Sequence, residues 1–543
     1  VNGRITRRSF LRAAGLGTAA LAAPGVLALA APAGTKDGRP NIVLIMADDM
    51  GFSDIGCYGG EIQTPNIDAL AAGGIRFTQF HNNAKCNPTR ATLLTGLYSQ
   101  QIGEGWMRGA ATIGESLGEA GYRTIMAGKW HAPRLPTDRG FDRYFGLADG
   151  CCNFFNPGKQ RPGEKAPGRK WPRWRRWGIE NKSLSPYTPK DKNFYTTDAF
   201  TDYAVKCLDQ YANETKPFLL YLAYTAPHYP LHAWPEDIAK YRGKYMIGWD
   251  ELRKRRYAKQ LEMGLFDAKT CRMSPRDDKA RAWADAKDKD AWDLKMAVYA
   301  AMIDRMDQNI GKVMAKLRQL GKADNTLVLF LADNGGCAET IHKTPDIPPG
   351  VMEGYHTVDA PWANASNTPF RKYKATDYEG GACTPLIAYW PKRITKGGRI
   401  TRQLGHIIDI VPTCLAVAGA EVPTTFAGKP VLPPEGVSLA PLLTGEGKDF
   451  PAREPIFCSY GGYRAMWQGK WKIIARGKAQ WELYDMSADR TELDDLAGKY
   501  PDRVKEMSAA YDAWRKRCRE DNQRTAPKVR TGKGRKQRLR DKR

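Results

Sequence analysis

The sequence has no paired CxxC motif, which removes the common zinc-ribbon patterns. Its 11 cysteines are odd in number and irregularly spaced across 543 residues, and the adjacent Cys151 and Cys152 do not suit a mutual bridge. A disulfide-framework protein is therefore excluded. There is no internal repeat, so solenoid and propeller arrays are excluded as well. The apolar stretch near the start is short, interrupted by Pro24 and rich in Ala and Gly, too weak for a membrane span. Mean hydropathy is −0.54 with 42% hydrophobic and 26% charged residues, which excludes both a multi-span membrane protein and a wholly disordered chain. The length suits a large catalytic domain with a smaller companion.

The formal charge of +25 is unevenly spread. Residues 1–33 carry +4 with no acid, residues 158–177 carry +7, and residues 522–543 carry +9, so the rest of the chain is close to neutral. Such a distribution argues against a nucleic-acid-binding domain, whose basic face belongs to its fold. Thr6-Arg7-Arg8-Ser9-Phe10-Leu11-Arg12, followed by an Ala/Leu/Gly-rich run and small residues at Ala28-Leu29-Ala30 and Ala31-Pro32-Ala33, resembles a twin-arginine signal peptide over 1–33. It implies a bacterial protein exported folded to the periplasm or beyond.

Apolar runs predict buried strands at Ile42–Ala47, Thr124–Ala127, Phe218–Tyr224, Leu327–Ala332 and Leu386–Trp390. The periodicity of Asp290–Leu320 predicts a long helix leading into one of them, the pattern of an α/β crossover. Residues 151–195, rich in Pro, Trp and Lys/Arg, read as a surface insertion, and 243–289 as a partly helical cover over one face. After about Pro451, Ile456–Ser459, Tyr463–Trp467, Trp471–Ala475 and Trp481–Tyr484 read as a small antiparallel sheet, closed by a helix over Asp502–Arg519. From Asn522 the basic tail reads as disordered.

The polar residues just after the strands carry the chemistry. The runs end in Asp48-Asp49, in Gly128-Lys129-Trp130-His131, in Ala226-Pro227-His228 and in Asp333-Asn334-Gly335-Gly336. In open α/β sheets ligands bind beyond the carboxyl ends of parallel strands, so these residues converge if the strands share one sheet. Asp48, Asp49, Asp333 and Asn334 offer only oxygen donors, which suits calcium or magnesium rather than zinc. In Cys86-Asn87-Pro88-Thr89-Arg90, Pro88 suits a first helical turn, which puts Cys86 at a helix amino terminus and Arg90 one turn on.

Cys86-x-Pro88-x-Arg90 with Leu93-Leu94-Thr95-Gly96 resembles the sulfatase signature. Pro40-Asn41-Ile42-Val43, Thr64-Pro65-Asn66-Ile67-Asp68, Gly128-Lys129-Trp130-His131, Ala226-Pro227-His228, Ala332-Asp333-Asn334-Gly335, Glu379-Gly380-Gly381 and Trp481-Glu482-Leu483-Tyr484-Asp485 stand in the family's order. The stretch Trp362–Arg371 resembles the arylsulfatase branch. The resemblance implies an alkaline-phosphatase-like α/β fold. Its large, mixed, mostly parallel sheet would be flanked by helices over 39–450, with a C-terminal antiparallel subdomain over 451–521. It also implies a calcium ion and a formylglycine made from Cys86 by a maturing enzyme. Asp48, Asp49, Asp333, Asn334 and modified Cys86 would hold calcium. Arg90 and Lys129 would hold the modified side chain and the sulfate oxygens, and His131 would be its acid/base partner. His228 and Lys374 would bind sulfate and assist the leaving group. Lys374 is chosen over Lys372 for its five-residue distance from Glu379. His232 is expected to line the pocket, while His81, His342, His356 and His406 are expected to be structural or on the surface. The implied substrate is a sulfate monoester of an aryl alcohol or a sulfated carbohydrate, including polysaccharides. Rival readings are a phosphonate or phosphodiester hydrolase of the same superfamily, and a polyanion-binding protein using the cations and tryptophans of 169–177.

Replacing Arg7 and Arg8 with Lys is expected to trap unprocessed precursor in the cytoplasm, read by cell fractionation. Normal export of that variant would remove the signal-peptide assignment.

Overall fold

The computed structural model describes residues 38–164, 175–445, 453 and 455–526. The expected export signal, the centre of the basic insertion and residues 527–543 of the expected tail lie outside them.

Ten strands form the central sheet. Five of them, in the spatial order Thr326–Ala332, Asn41–Ala47, Phe218–Ala223, Arg123–Gly128 and Arg143–Leu147, are mutually parallel. Leu386–Tyr389 pairs antiparallel with Thr326–Ala332 and continues the sheet through Ile75–Phe77 to Arg399–Thr401. The parallel strands read as unbroken apolar runs because both faces are covered; every residue of Asn41–Ala47 and of Thr326–Ala332 is buried. Alternation still assigns each side chain to a face. Val43, Ile45 and Ala47 join a core with the helices Thr196–Gln210 and Lys289–Gln319, while Ile42, Leu44 and Met46 join one with Cys86–Thr95, Ile113–Glu119 and Ile410–Val417. The long helix keeps the register read from its periodicity, capped by the Asp288 carboxylate on the Ala291 N–H and carrying Lys316 and Arg318 in its last turn.

Two expectations are corrected. Residues 151–195 are not wholly a surface insertion: Trp177–Ile179 and Lys182–Leu184 add two antiparallel strands to the sheet edge. Trp177 is buried there, stacked between Tyr187 (5.0 Å) and Phe200 (5.6 Å). Strands of three residues are too short to show a period. The C-terminal helix also runs past the expected end, from Pro501 to Thr525, so residues 522–525 are helical. Asp521, just before that stretch, accepts a 3.1 Å hydrogen bond from Gln101 Nε2. The segment 243–289 does cover one face, through the helix Gly248–Glu262, whose Trp249 is fully buried.

The small sheet, Ile456–Cys458, Tyr463–Gln468, Trp471–Arg476 and Glu482–Asp485, is antiparallel throughout. Its apolar face and the C-terminal helix share a core that includes Ala84, Tyr98, Tyr378, Ala382 and Ile408 of the large domain. Trp514 fastens the helix, lying flat on Phe457 at 4.7 Å and edge-on to Tyr98 at 5.1 Å. Trp514→Ala should destabilise the chain by about 3–5 kcal/mol. Denaturant unfolding checks this, and an unchanged midpoint would mean that the helix is held elsewhere.

Candidate active site

The four strand ends converge at the carboxyl edge of the parallel strands, where such sheets bind ligands. Asp48 and Asp49 follow the central strand and Asp333 and Asn334 its neighbour, whose register pairs Ala47 with Ala332. Asp49 takes a left-handed backbone (φ 65°), and its N–H donates to Asp333 Oδ1 at 3.2 Å. Lys129 emerges beside them because Gly128 permits it: at φ 113°, a Cβ there would lie 1.9 Å from the Ala223 carbonyl oxygen. Cys86 is the first residue of the helix Cys86–Thr95, whose amino terminus has no side-chain cap. Arg90, one turn on, is fully buried and reaches back across the cluster.

Each acid meets a cation. Lys129 Nζ lies 2.6 Å from Asp48 Oδ2, Lys374 Nζ 2.6 Å from Asp49, and Arg90 Nη2 2.8 Å from Asp333 Oδ2. Arg90 Nη1 also donates to the Lys129 carbonyl at 3.0 Å, and Asn334 Nδ2 to Asp49 Oδ1 at 2.8 Å. His228 Nε2 stands 3.4 Å from Asp49 Oδ2, and its Nδ1 is bound to the Tyr229 carbonyl at 2.6 Å. The structure thus brings Lys374 into the cluster and sends Lys372 to Asp277 at 2.8 Å.

Burial opposes every charge here, so neighbours decide the protonation states. Burial would raise the Asp49 pKa, but His228, Lys374 and Lys129 outweigh it and hold the carboxyl well below the usual range. Burial and the Asp48 charge push Asp333 up to about 6 against the pull of Arg90 and Lys129. Burial would lower Lys129; Asp48 and Cys86 reverse that. Burial depresses both His228 and His131, and for His131 the positive charges of Lys129 and Arg90 add to it. His131 packs against Gly150 and leaves its Nδ1 without a hydrogen-bond partner.

The donor set fits a hard cation. Asp48 Oδ1 and Asn334 Oδ1 are buried oxygens without a hydrogen-bond partner, next to the carboxylates of Asp49 and Asp333. The ligand atoms of Asp48, Cys86 and Asp333 lie within 4.8 Å of one another.

A family model named Sulfatase matches residues 40–420. The chain belongs to the sulfatase family. A second model, N-sulphoglucosamine sulphohydrolase C-terminal, matches residues 372–515, so the small sheet and closing helix are family features as well. An uncharacterized sulfatase of Schizosaccharomyces pombe is 34% identical, over 86% of this chain and 92% of its own. The arylsulfatase of Klebsiella aerogenes is 34% identical, over 74% and 92%. Among solved structures, Ps i-CgsB bound to k-i-k-neocarrahexaose superposes with a TM-score of 0.64 at 27% identity, covering 92% of this chain and 97% of that one. The sulfatase has the alkaline-phosphatase-like fold expected from its motifs, and it is an enzyme of sulfate ester hydrolysis.

One expected residue of the sulfatase stands apart. His232 is fully buried, and backbone groups occupy both its ring nitrogens: the Phe154 N–H donates to Nδ1 at 3.3 Å, and Nε2 meets the Gly354 carbonyl at 2.8 Å. It joins two loops and does not line the pocket; nearness to His228 in sequence is lost because the chain turns inward after Pro230. Motif reasoning also missed a rim. Glu339 accepts from Lys85 Nζ at 3.2 Å and from the Tyr229 hydroxyl at 2.6 Å. Lys85 directly precedes the signature cysteine and Tyr229 comes right after His228, which was the available signal.

His232→Ala should cost about 1–3 kcal/mol through unpaired buried backbone groups. The turnover of the folded fraction on a small aryl sulfate should change little. A large loss of turnover at unchanged stability would return His232 to the pocket.

Proposed function

We propose that this sulfatase hydrolyses a sulfate monoester of a carbohydrate or aryl alcohol, using a formylglycine made from Cys86 and a calcium ion, and releases inorganic sulfate. The observation that carries this reading is the placement of Cys86. It sits at a helix amino terminus, within 4.8 Å of the Asp48 and Asp333 carboxylates, among three buried cations. Asp48, Asp49, Asp333 and Asn334 would hold the calcium ion, with the modified Cys86 side chain beside it. Bound there, calcium would draw negative charge from a sulfate oxygen, and the hydrated aldehyde would supply two hydroxyls on one carbon, one to take up sulfur and one to let sulfate leave. The mouse relative named N-acetylgalactosamine-6-sulfatase, 28% identical over 84% of this chain, supports the carbohydrate class, as does the saccharide bound to Ps i-CgsB.

The chain's own residues do the rest. The Arg90 guanidinium and the Lys129 and Lys374 ammonium groups, held in advance by Asp333, Asp48 and Asp49, would offset the charge of the sulfate, the condition for electrostatic stabilisation. His131, neutral because burial depresses it, offers an unpartnered Nδ1 as proton acceptor for the second hydroxyl. His228 has Nδ1 committed to a carbonyl, which fixes Nε2 as the atom that faces the site. Nε2 carries a hydrogen to give only in the imidazolium form, which Asp49 favours against burial; in that form His228, with the Lys374 ammonium, would stabilise or protonate the departing alkoxide. Folded export by the twin-arginine route would let maturation and metal loading precede translocation.

Mass spectrometry of the tryptic peptide Cys86–Arg90 from protein made in its own host should show an aldehyde, and Cys86→Ala should abolish turnover. An intact thiol throughout would overturn the mechanism. His228→Ala should cost about 10²–10³ in kcat on alkyl sulfates and much less on nitrophenyl sulfate. Equal losses on both would remove its leaving-group role. Faster turnover of phosphonate monoesters or phosphodiesters than of any sulfate would favour the rival hydrolase.

A further inference from the structure

The segment after Asn334 folds back on itself next to the pocket. The Ile341 N–H donates to Thr357 Oγ1 (2.9 Å), the Lys343 N–H to the Tyr355 carbonyl (3.1 Å), and the Tyr355 N–H to Thr344 Oγ1 (2.7 Å). Between these contacts His342 and His356 meet, with their Nδ1 atoms 3.4 Å apart. The ring centroids are 5.5 Å apart, so the two rings converge at their nitrogen edges.

The outer nitrogens decide what that meeting is. His342 Nε2 lies 3.0 Å from Asp359 Oδ2, and His356 Nε2 lies 2.5 Å from the Ile347 carbonyl oxygen. The Ile347 carbonyl only accepts, so His356 Nε2 carries hydrogen. His342 Nε2 lies between two groups, the Asp359 carboxylate at 3.0 Å and the donor-only Lys295 Nζ at 3.4 Å; the carboxylate is nearer and Lys295 is itself bound to it at 2.7 Å, which places hydrogen on His342 Nε2 as well. In neutral imidazoles both Nδ1 atoms then present bare lone pairs to each other. Two acceptors at this distance repel unless a cation stands between them. The spacing matches one: two imidazole nitrogens bound to a tetrahedral ion at about 2.0–2.1 Å are about 3.3 Å apart. Outer nitrogens held by a carboxylate and a backbone carbonyl are how proteins orient metal-bound histidines. Asp359 is itself fixed by Thr357 Oγ1 at 2.7 Å and by Lys295 Nζ at 2.7 Å, and it takes a left-handed backbone (φ 69°). Burial, with smaller contributions from His342 and Lys295, keeps the His356 pKa low, which leaves its lone pair free. The His342 side chain is 28% exposed, which leaves room for water to complete the coordination.

We propose that His342 and His356 form a binding site for a divalent late transition metal of the zinc, nickel or copper class, separate from the all-oxygen cluster at Asp48 and Asp333. Imidazole nitrogen suits these ions and does not suit calcium. The ion would staple 341–344 to 355–357 and so stiffen the segment that carries Glu339, which meets Lys85 and Tyr229 at the pocket rim. The proposal does not depend on the reaction proposed above.

The test uses the full chain saturated with calcium. Equilibrium dialysis against Zn²⁺ should show one site per chain, lost in His356→Ala and in the milder, partly exposed His342→Gln. Co²⁺ added to the same protein should give visible absorption that both variants lose. Asp359→Asn should weaken Zn²⁺ binding by about 10–100-fold. Near-UV circular dichroism shows that each variant is folded, and His342→Gln serves should His356→Ala not be. Unchanged zinc stoichiometry and cobalt absorption in the folded histidine variants would overturn the site. So would a nuclear magnetic resonance titration showing the pair sharing a proton at neutral pH with no response to Zn²⁺.

Discussion

Everything near the pocket depends on the pairing of buried charges. Three carboxylates and an amide are packed at the ends of two adjacent strands, and all are withdrawn from water. An unpaired ion in such a place costs several kcal/mol, and a cluster of like charges costs more. The fold answers with one cation per acid, each sent from a different element: Arg90 from the signature helix, Lys129 from a strand end, and Lys374 from the loop before Glu379. A hard cation would bring further positive charge to Asp48 Oδ1 and Asn334 Oδ1, two buried oxygens of the cluster that have no hydrogen-bond partner. The same three side chains that keep the carboxylate cluster tolerable are those that would meet a sulfate. Structural compensation and the proposed substrate binding would then be one arrangement.

The pairing requires close backbone approach, and glycine supplies it twice. At Gly128 the strand end presses on Ala223, so that Lys129 arrives next to Asp48. At Gly335 a Cβ would lie 1.9 Å from the Gly380 carbonyl oxygen, and the Gly335 N–H donates to the Gly381 carbonyl at 3.1 Å. The turn after Asn334 thus rests directly on the Glu379-Gly380-Gly381 turn. Two motifs 45 residues apart in the chain touch through backbone alone.

Much of this was legible because both faces of the sheet are covered. Strands such as Asn41–Ala47 then become unbroken apolar runs, and the polar residue that ends each run is a candidate site residue. The pairing of those residues was not legible, since it depends on the strand order. The five-residue distance from Glu379 singled out Lys374 over Lys372 but carried no physical reason; the direction of the loop supplies one, sending Lys372 to Asp277 and Lys374 to Asp49. His232 misled because nearness in sequence says nothing of direction once a chain leaves its strand. The edge strands at Trp177–Ile179 and Lys182–Leu184 carry too few residues for a period, and the helical turn at 522–525 continues the helix from Pro501 while its composition reads as tail.

The C-terminal subdomain shows the largest gap between what a motif names and what it does. Glu379 looks like one more acid near the site, yet its carboxylate is committed elsewhere. It is fully buried between His81 Nε2 (3.0 Å), Lys472 Nζ (3.0 Å) and Arg490 Nη1 (2.8 Å), with Trp467 Nε1 donating at 3.2 Å. Lys472, Arg490 and Trp467 all come from the small sheet or the turn after it, and Glu492 from that turn accepts the Glu379 N–H at 2.9 Å. Replacing Lys472 or Arg490 while the subdomain stays in place would leave the buried Glu379 short of a counter-charge, the costly way to break a buried ion pair. Glu379 lies five residues after Lys374, whose own N–H is tied to Gly336 and whose neighbour Ala375 is tied to Ala84 next to the signature helix. The segment that delivers Lys374 to Asp49 is thus anchored at one end by the large domain and at the other by the small one. The second domain is part of what places the third cation, which is why its residues belong to the same physical problem as the strand ends.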